Sequence, residues 1–152
     1  MMSSSEAPRR VLVVDDSAFM RRVLTEMVER LPGFRVVGTA LDGEEALARV
    51  RKVDPDILTL DLEMPRLDGR RTLERLMAER PKPVVIVSAY TPEGSQAAIE
   101  ALEMGAVDCV AKPSGPISLD MAKVEARLHE ALRAAAAADV RALTWRPGRV
   151  AG

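Results

Sequence analysis

One short apolar run constrains the fold of this chain more than any other stretch. Ile57 to Asp61 (ILTLD) is a nearly apolar run, and it lies between an Asp-Pro pair on one side and Pro65 and Gly69 on the other. A run of this length between turn-forming residues is typical of a strand buried on both faces, and such strands belong to parallel sheets. Asp61 is therefore predicted at the carboxyl edge of the sheet, where open α/β folds bind their ligands.

The rest of the chain alternates between similar runs and segments with helical spacing. Strands are expected over 10–15, 34–40, 57–61, 83–88 and 106–111, and helices over about 17–31, 44–53, 69–79, 96–104 and from Ser118 onward. The last helix carries a core stripe of apolar residues, which are Ile117, Met121, Val124, Leu128 and Leu132. Five strands, each followed by a helix, predict an α/β domain with a doubly wound parallel sheet, right-handed crossovers and helices on both faces.

Length and composition set the outer limits. The 152 residues suffice for one such domain, expected at 10–135 between a flexible N-terminal tail (1–9) and a C-terminal helix extension and linker (136–152). The 22 Lys and Arg nearly balance the 23 Asp and Glu, which disfavours binding to nucleic acid or to a membrane surface. No apolar run approaches the roughly 20 residues that span a bilayer, and the N-terminus lacks a signal-peptide pattern. A cytoplasmic protein is expected.

Polar residues end four of the five predicted strands. They comprise three carboxylates, a hydroxyl and an ammonium, namely Asp15, Asp16, Asp61, Ser88 and Lys112. Three close carboxylates raise one another's pKa unless a cation joins them. Such an incomplete set of oxygen ligands suits Mg²⁺, which keeps waters and takes a phosphate oxygen as a further ligand. The lysine and the hydroxyl could bind a phosphoryl group, and an Asp could accept it as an aspartyl phosphate.

Taken singly, several polar residues have ordinary structural explanations. Asp16 or Ser17 could cap the first helix, and Asp68 is interpreted as the cap of the third. His129 is expected on an exposed helix face. Cys109, within an apolar strand, is interpreted as an inert small hydrophobic residue. A functional interpretation of the strand ends rests on the joint placement of their five polar residues, because independent structural causes would not bring all of them to one edge.

The same positions resemble the receiver domain of two-component response regulators. The motifs are Asp15-Asp16-Ser17, Leu60 to Pro65 (LDLEMP) with Asp68-Gly69, Ser88-Ala89 and Lys112-Pro113, and the similarity covers about residues 10–135. The resemblance implies a flavodoxin-like (CheY-like) fold with strand order 2-1-3-4-5.

The resemblance also implies a role for each motif residue. Asp61 would be phosphorylated from a phosphohistidine of a partner histidine kinase. Asp16, Asp61 and the backbone carbonyl of Glu63 would bind Mg²⁺, or Mn²⁺ in its place, with Asp15 assisting through water. Ser88 and Lys112 would contact the phosphoryl oxygens. Residues with a structural role would be Pro65, Asp68, Gly69 and Pro113.

Longer stretches narrow the resemblance. Residues 61–69 (DLEMPRLDG), 88–94 (SAYTPEG) and 105–115 (GAVDCVAKPSG) look like the receiver half of the chemotaxis protein-glutamate methylesterase (CheB) family, in which a linker leads to a hydrolase domain. This chain ends where that linker would begin. It is therefore expected to be a regulatory domain without hydrolase activity of its own, or a stand-alone relative, that controls an effector domain through the face formed by helix 4, strand 5 and helix 5.

One position departs from the family pattern. Many receivers carry an aromatic residue three positions before the lysine, where this chain has Cys109. A switch that couples a hydroxyl to an aromatic side chain cannot operate in that form here. Signalling is therefore expected to depend on Ser88 and the loop from Ala89 to Ser95, which contains Tyr90.

Three other functions share parts of this pattern. A flavodoxin that binds FMN would share the fold but needs a Ser/Thr/Gly-rich phosphate loop where this chain has Asp15-Asp16. A metal-dependent phosphatase with an aspartyl nucleophile would carry that nucleophile after the first strand. The receiver of a DNA-binding regulator would be distinguished by the downstream sequence, beyond Gly152.

Overall fold

The computed structural model describes residues 7–64, 67–89, 95–112 and 121–138. Within these ranges, strands and helices alternate along the chain. They are β1 Arg9–Val14, α1 Ala18–Glu29, β2 Phe34–Ala40, α2 Gly43–Val53, β3 Ile57–Leu60, α3 Gly69–Glu79, β4 Val84–Ser88, α4 Gln96–Glu103, β5 Asp108–Ala111 and α5 Met121–Ala137. The strands form one parallel sheet in the order β2-β1-β3-β4-β5. The predicted sheet and the strand order implied by the resemblance are confirmed.

The sheet separates two hydrophobic cores. The first lies between the sheet and α2, α3 and α4, and the second between the sheet and α1 and α5. Successive side chains of a strand point to opposite faces, so β3 contributes Leu58 and Leu60 to the first core and Ile57 to the second. All four residues of β3 are buried, as the apolar run predicts.

The helices on the first core differ in how firmly they are anchored. The 11-residue helix α3 buries Leu73, Leu76 and Met77. Helix α4 has eight residues, and within it only Ala98 and Ala101 are buried. Because an alanine buries one methyl group, α4 contributes much less apolar area to the core than α3 does.

Helix α5 is tied to α1 at the second core. Of its predicted stripe, Leu128 and Leu132 are buried, Met121 and Val124 are partly buried, and Ile117 lies outside the described residues. The prediction that His129 is exposed is wrong, because its side chain is only 14% exposed. Its Nε2 atom lies 2.7 Å from the carbonyl oxygen of Met27, which belongs to the last turn of α1, where carbonyls lack helical partners.

Strand boundaries differ from the predictions by one or two residues. Strands β1 and β3 end at Val14 and Leu60, so Asp15 and Asp61 follow their strands immediately instead of ending them. Strand β5 begins at Asp108 and not at residue 106, because the Ala106 amide donates back to the Ala101 carbonyl at 3.0 Å and helps to close α4. None of the described helices combines the length and the apolar character needed to cross a bilayer.

A buried hydroxyl in β3 generates a stability prediction. Thr59 is 0% exposed, and its Oγ1 atom has no hydrogen-bond partner among the described residues. Thr59→Val should raise the free energy of unfolding by about 1 kcal/mol, because it removes an unsatisfied polar group at nearly constant volume. Urea denaturation would measure the change.

Thr72→Val is the matched control for this substitution. Thr72 is equally buried, but its hydroxyl donates to the Asp68 carbonyl at 2.7 Å. Thr72→Val should therefore lower the free energy of unfolding by about 1 kcal/mol. Destabilisation of similar size in both variants would contradict the assignment of Thr59 as an unsatisfied group.

Candidate functional site

Three carboxylates converge at the carboxyl edge of the sheet. Asp15 follows β1 and Asp61 follows β3, its neighbour in the sheet, and the Asp61 amide donates to the Val14 carbonyl at 3.1 Å. Asp16 is next in the chain. One carboxylate oxygen from each of the three aspartates lies within 4.8 Å of the others, so the predicted cluster forms.

The three carboxylates differ in burial. Asp15 and Asp61 are 0% and 2% exposed, whereas Asp16 is exposed at the surface. The buried carboxylates each accept a local amide hydrogen bond through Oδ1, Asp15 from Ser17 at 2.9 Å and Asp61 from Glu63 at 3.1 Å. The side chain of Ser17 caps α1 by accepting from the Met20 amide.

Lys112 connects the two buried aspartates. Its Nζ atom lies 2.7 Å from Oδ2 of Asp15 and 3.1 Å from Oδ2 of Asp61, and its side chain is 10% exposed. The residue predicted from sequence as a phosphoryl contact thus lies directly against the candidate acceptor. With one ammonium against three carboxylates, this cluster carries a formal charge of about −2 when all groups are ionised.

The pKa values at the cluster are shifted by burial and by these contacts. Burial raises the pKa of Asp61 to about 6; the charge of Lys112 and the Glu63 amide oppose this rise, and the charge of Asp15 adds to it. Burial alone would lower the pKa of Lys112, but the hydrogen bonds and charges of Asp15 and Asp61 raise it overall. Lys112 therefore stays an ammonium at neutral pH, and Asp61 is ionised but unusually basic for an aspartate.

Ser88 ends β4 close to this cluster in the sheet. Its backbone carbonyl accepts from the Lys112 amide at 3.3 Å, which ties the ends of β4 and β5 together. Its hydroxyl is buried and has no hydrogen-bond partner within the described ranges. A buried hydroxyl without a partner costs free energy unless a ligand satisfies it.

Asp68 and Gly69 support the segment that follows Asp61. Asp68 caps α3 by accepting from the Arg71 amide at 2.9 Å, as predicted. A Cβ atom on Gly69 would lie 2.2 Å from the carbonyl oxygen of Asp61, so only glycine permits this close approach. Pro65, Tyr90 and Pro113 lie outside the described residues. Cys109 belongs to β5, and its buried side chain faces α4, with its Sγ atom 3.8 Å from the Ala98 carbonyl oxygen.

Arg21 belongs to the site, although the sequence patterns did not point to it. Its Nη1 atom donates to the Asp15 carbonyl at 2.8 Å. Arg21 is four residues after the cap Ser17, so its side chain reaches back one helical turn towards the turn between β1 and α1. This spacing was visible in the sequence, but a basic residue in a first helical turn is too common to single it out.

The donor set fits a hard divalent cation. Mg²⁺ prefers oxygen ligands and binds through one or two carboxylates plus waters, and this edge offers converging carboxylate oxygens with excess negative charge. The exposed Asp16 leaves the cluster accessible from solvent.

The amino-acid sequence that forms this site is similar to those of known proteins. A family model described as response regulator receiver domain matches residues 11–123. The chain is 56% identical over 144 residues to a protein-glutamate methylesterase/protein-glutamine glutaminase of Symbiobacterium thermophilum. The alignment covers 95% of this chain and 40% of that relative, so the chain spans about two fifths of the relative's length.

Solved structures show the same similarity. The response regulator domain of Thermotoga maritima CheB is 46% identical with a TM-score of 0.81, over 87% of this chain and 98% of that one. A chain of the CheX-CheY-BeF₃-Mg²⁺ complex from Borrelia burgdorferi is 36% identical with a TM-score of 0.69, over 83% and 90% of the two chains.

The raised pKa of Asp61 generates a pH prediction for the metal-free chain. The folded pKa of about 6 exceeds the ordinary value of 3.8, so the folded state binds more protons between these pH values. The contribution of Asp61 to stability is fully present below about pH 4 and is lost as the pH rises through 6. Asp61→Asn should therefore increase the free energy of unfolding at pH 7.5 by up to about 3 kcal/mol, and by much less near pH 4.5.

Asp108→Asn is the control of opposite sign. Burial raises the pKa of Asp108, but the hydrogen bonds from Arg127 and the Cys109 amide lower it overall. This variant should be less stable than wild type at pH 7.5, with the difference shrinking as the pH falls below 4. Urea denaturation at several pH values would measure the free energy of unfolding of wild type and both variants. An Asp61→Asn variant less stable than wild type at pH 7.5 would contradict the raised pKa of Asp61.

Proposed function

Since this chain belongs to the family of response regulator receiver domains, we propose that it is a phosphorylation-controlled switch of the chemotaxis type whose phosphoacceptor is Asp61. The observation that carries the proposal is the contact of 3.1 Å between the buried Asp61 carboxylate and the Lys112 ammonium within the acidic cluster. The phosphodonor would be a phosphohistidine of a histidine kinase acting in the cytoplasm.

The environment of Asp61 suits a nucleophile better than that of its neighbours. Asp15 is fully buried, with the Ser17 amide on one oxygen and Lys112 on the other. Asp16 is exposed and lies outside the contacts of Lys112. The pKa of about 6 for Asp61 means that its carboxylate is ionised at neutral pH yet more basic than an ordinary aspartate, which favours attack on phosphorus.

The proposed transfer is a simple displacement. An Asp61 oxygen forms a bond to the phosphorus atom as the bond from phosphorus to the donor imidazole nitrogen breaks, and the imidazole leaves. Lys112 is close enough to Asp61 to bind an oxygen of the incoming group, and the Ser88 hydroxyl, buried without a partner among the described residues, can donate to another. Both contacts would neutralise or satisfy charge that develops during transfer.

Mg²⁺ is the proposed cofactor, and Mn²⁺ would have the same ligands. Asp16, Asp61 and the backbone carbonyl of Glu63 would bind it, with Asp15 assisting through water. When bound, the ion would neutralise negative charge on the phosphoryl oxygens. Support comes from the convergence of the three carboxylates and from the similarity to a chain of a CheX-CheY complex that contains BeF₃ and Mg²⁺.

The proposed output surface is the face formed by α4, β5 and α5. Two large apolar side chains of α4, Ile99 and Leu102, are both 44% exposed, and a partner bound at this face would remove their apolar surface from water. The effector would be a methylesterase domain, because the similar relative carries that name and is much longer than this chain. On its own the receiver would bind and regulate this effector and not hydrolyse its substrate.

Phosphorylation is predicted to fall on Asp61. Incubation with acetyl phosphate and Mg²⁺ should give a base-labile acyl phosphate that adds one phosphoryl group to the mass of the chain. Asp61→Asn and chelation with EDTA should each abolish the label, because one removes the acceptor and the other the cation. Asp56→Asn, at the opposite end of β3, is the control and should be labelled like wild type. Undiminished labelling of Asp61→Asn would refute the proposal.

The Ser88 hydroxyl is predicted to transmit the signal to α4. Beryllofluoride and Mg²⁺ should change the rate of amide hydrogen exchange over residues 95–112. The reason is that a phosphoryl analogue on Asp61 attracts the Ser88 hydroxyl and moves the chain that follows it. Ser88→Ala should reduce this response several-fold while labelling of Asp61 persists, and Lys112→Ala should impair both. Ser88→Thr keeps the hydroxyl and should retain the response. Exchange changes confined to α1, α2 or α3 would exclude this route.

A further inference from the structure

The turn between β1 and α1 carries two of the three carboxylates, and hydrogen bonds hold most of its polar groups. The Asp15 amide donates to the Ala40 carbonyl of β2 at 3.0 Å. The Asp15 carboxylate accepts from the Ser17 amide, and the Ser17 hydroxyl caps α1. These bonds fix the residues on either side of Asp16, but none of them holds the peptide group that joins Asp15 to Asp16.

Arg21 supplies that bond. Its guanidinium donates to the Asp15 carbonyl at 2.8 Å from a partly buried position. A charged donor makes this hydrogen bond stronger than one between neutral groups. The carbonyl belongs to the same planar peptide unit as the Asp16 nitrogen, so the contact restricts rotation of the segment from which the exposed Asp16 carboxylate projects.

We propose that Arg21 is a positioning residue for the metal site: it holds the peptide between Asp15 and Asp16 so that the Asp16 carboxylate faces Asp15 and Asp61 before a cation binds. The proposal rests on the proposed function, because it assumes that these carboxylates bind Mg²⁺. Its physical basis is preorganisation, since a ligand that is already in place loses less conformational freedom on binding.

Positioning and charge have opposite consequences at Arg21. The positive charge of the guanidinium repels a divalent cation, so an electrostatic role alone predicts tighter Mg²⁺ binding when the charge is removed. Positioning predicts weaker binding for the same change. A residue of similar length without charge therefore separates the two roles.

The experiment uses the full chain with Arg21→Met, Arg21→Lys and the matched control Arg22→Met. Arg22 is the next residue of α1, its side chain is 82% exposed, and it pairs only with Glu26 among the described contacts. Isothermal titration with MgCl₂ should give a dissociation constant about tenfold higher for Arg21→Met, the effect expected from losing one charged hydrogen bond. Arg21→Lys should recover most of the affinity, Arg22→Met should match wild type, and Asp16→Asn serves as the benchmark for a lost ligand.

Amide exchange of the metal-free chain provides a second measurement. In Arg21→Met the Ser17 amide, which donates to Asp15 within the turn, should exchange at least about tenfold faster while the Leu12 amide in the middle of β1 is unchanged. A general loss of stability would instead accelerate both amides.

Several results would overturn the proposal. The first is a Mg²⁺ affinity of Arg21→Met that is within twofold of the wild-type affinity or higher. The second is an equal loss of Mg²⁺ affinity in Arg22→Met. The third is a parallel acceleration of amide exchange at Ser17 and Leu12. If the wild-type chain binds no Mg²⁺, the proposed function itself fails, and the exchange of Ser17 still decides whether Arg21 holds the turn.

Discussion

A single ammonium group between two buried carboxylates holds the carboxyl edge of this sheet together. Lys112 follows β5, whereas Asp15 and Asp61 follow β1 and β3, so the contact reaches across β4 and links ends that no backbone ladder joins directly. Buried charges are tolerated only when they are paired. Without the lysine, two nearly inaccessible carboxylates would face each other, and the cluster in its present form would not be stable.

This arrangement leaves the carboxyl edge of the sheet with excess negative charge, which favours the binding of a proton or a cation. The lysine compensates one of the three negative charges, and burial, with a smaller contribution from the charge of Asp15, raises the pKa of Asp61 to about 6. A proton or a metal ion can neutralise part of the remaining negative charge, and the two compete for the same carboxylate. Sites of this kind sacrifice stability of the free protein for affinity, which is consistent with the proposed use of Asp61 as a metal ligand and phosphoacceptor.

Local sequence signals predicted much of this structure, and tertiary contacts account for what they missed. Apolar runs, the cap at Asp68 and the glycine at position 69 act through their immediate neighbours, so the strands, helix starts and convergence of the carboxylates could be predicted. The pKa of Asp61 depends on burial under elements far away in the chain. The environment of His129 depends on where α5 crosses α1, and the contact of Arg21 depends on a side-chain rotamer, so none of these was predicted.

The weak anchoring of α4 has a consequence for how little free energy is needed to move it. Two buried alanines give this helix few packing interactions to lose, so a displaced arrangement of α4 would cost less free energy than displacement of a helix anchored by leucines. A ligand shifts such an equilibrium by the difference between its interactions with the two states. One new hydrogen bond, worth about 1 kcal/mol, changes the population ratio about fivefold, so a two-state helix held by methyl groups responds to a signal that would leave a leucine-anchored helix almost unmoved.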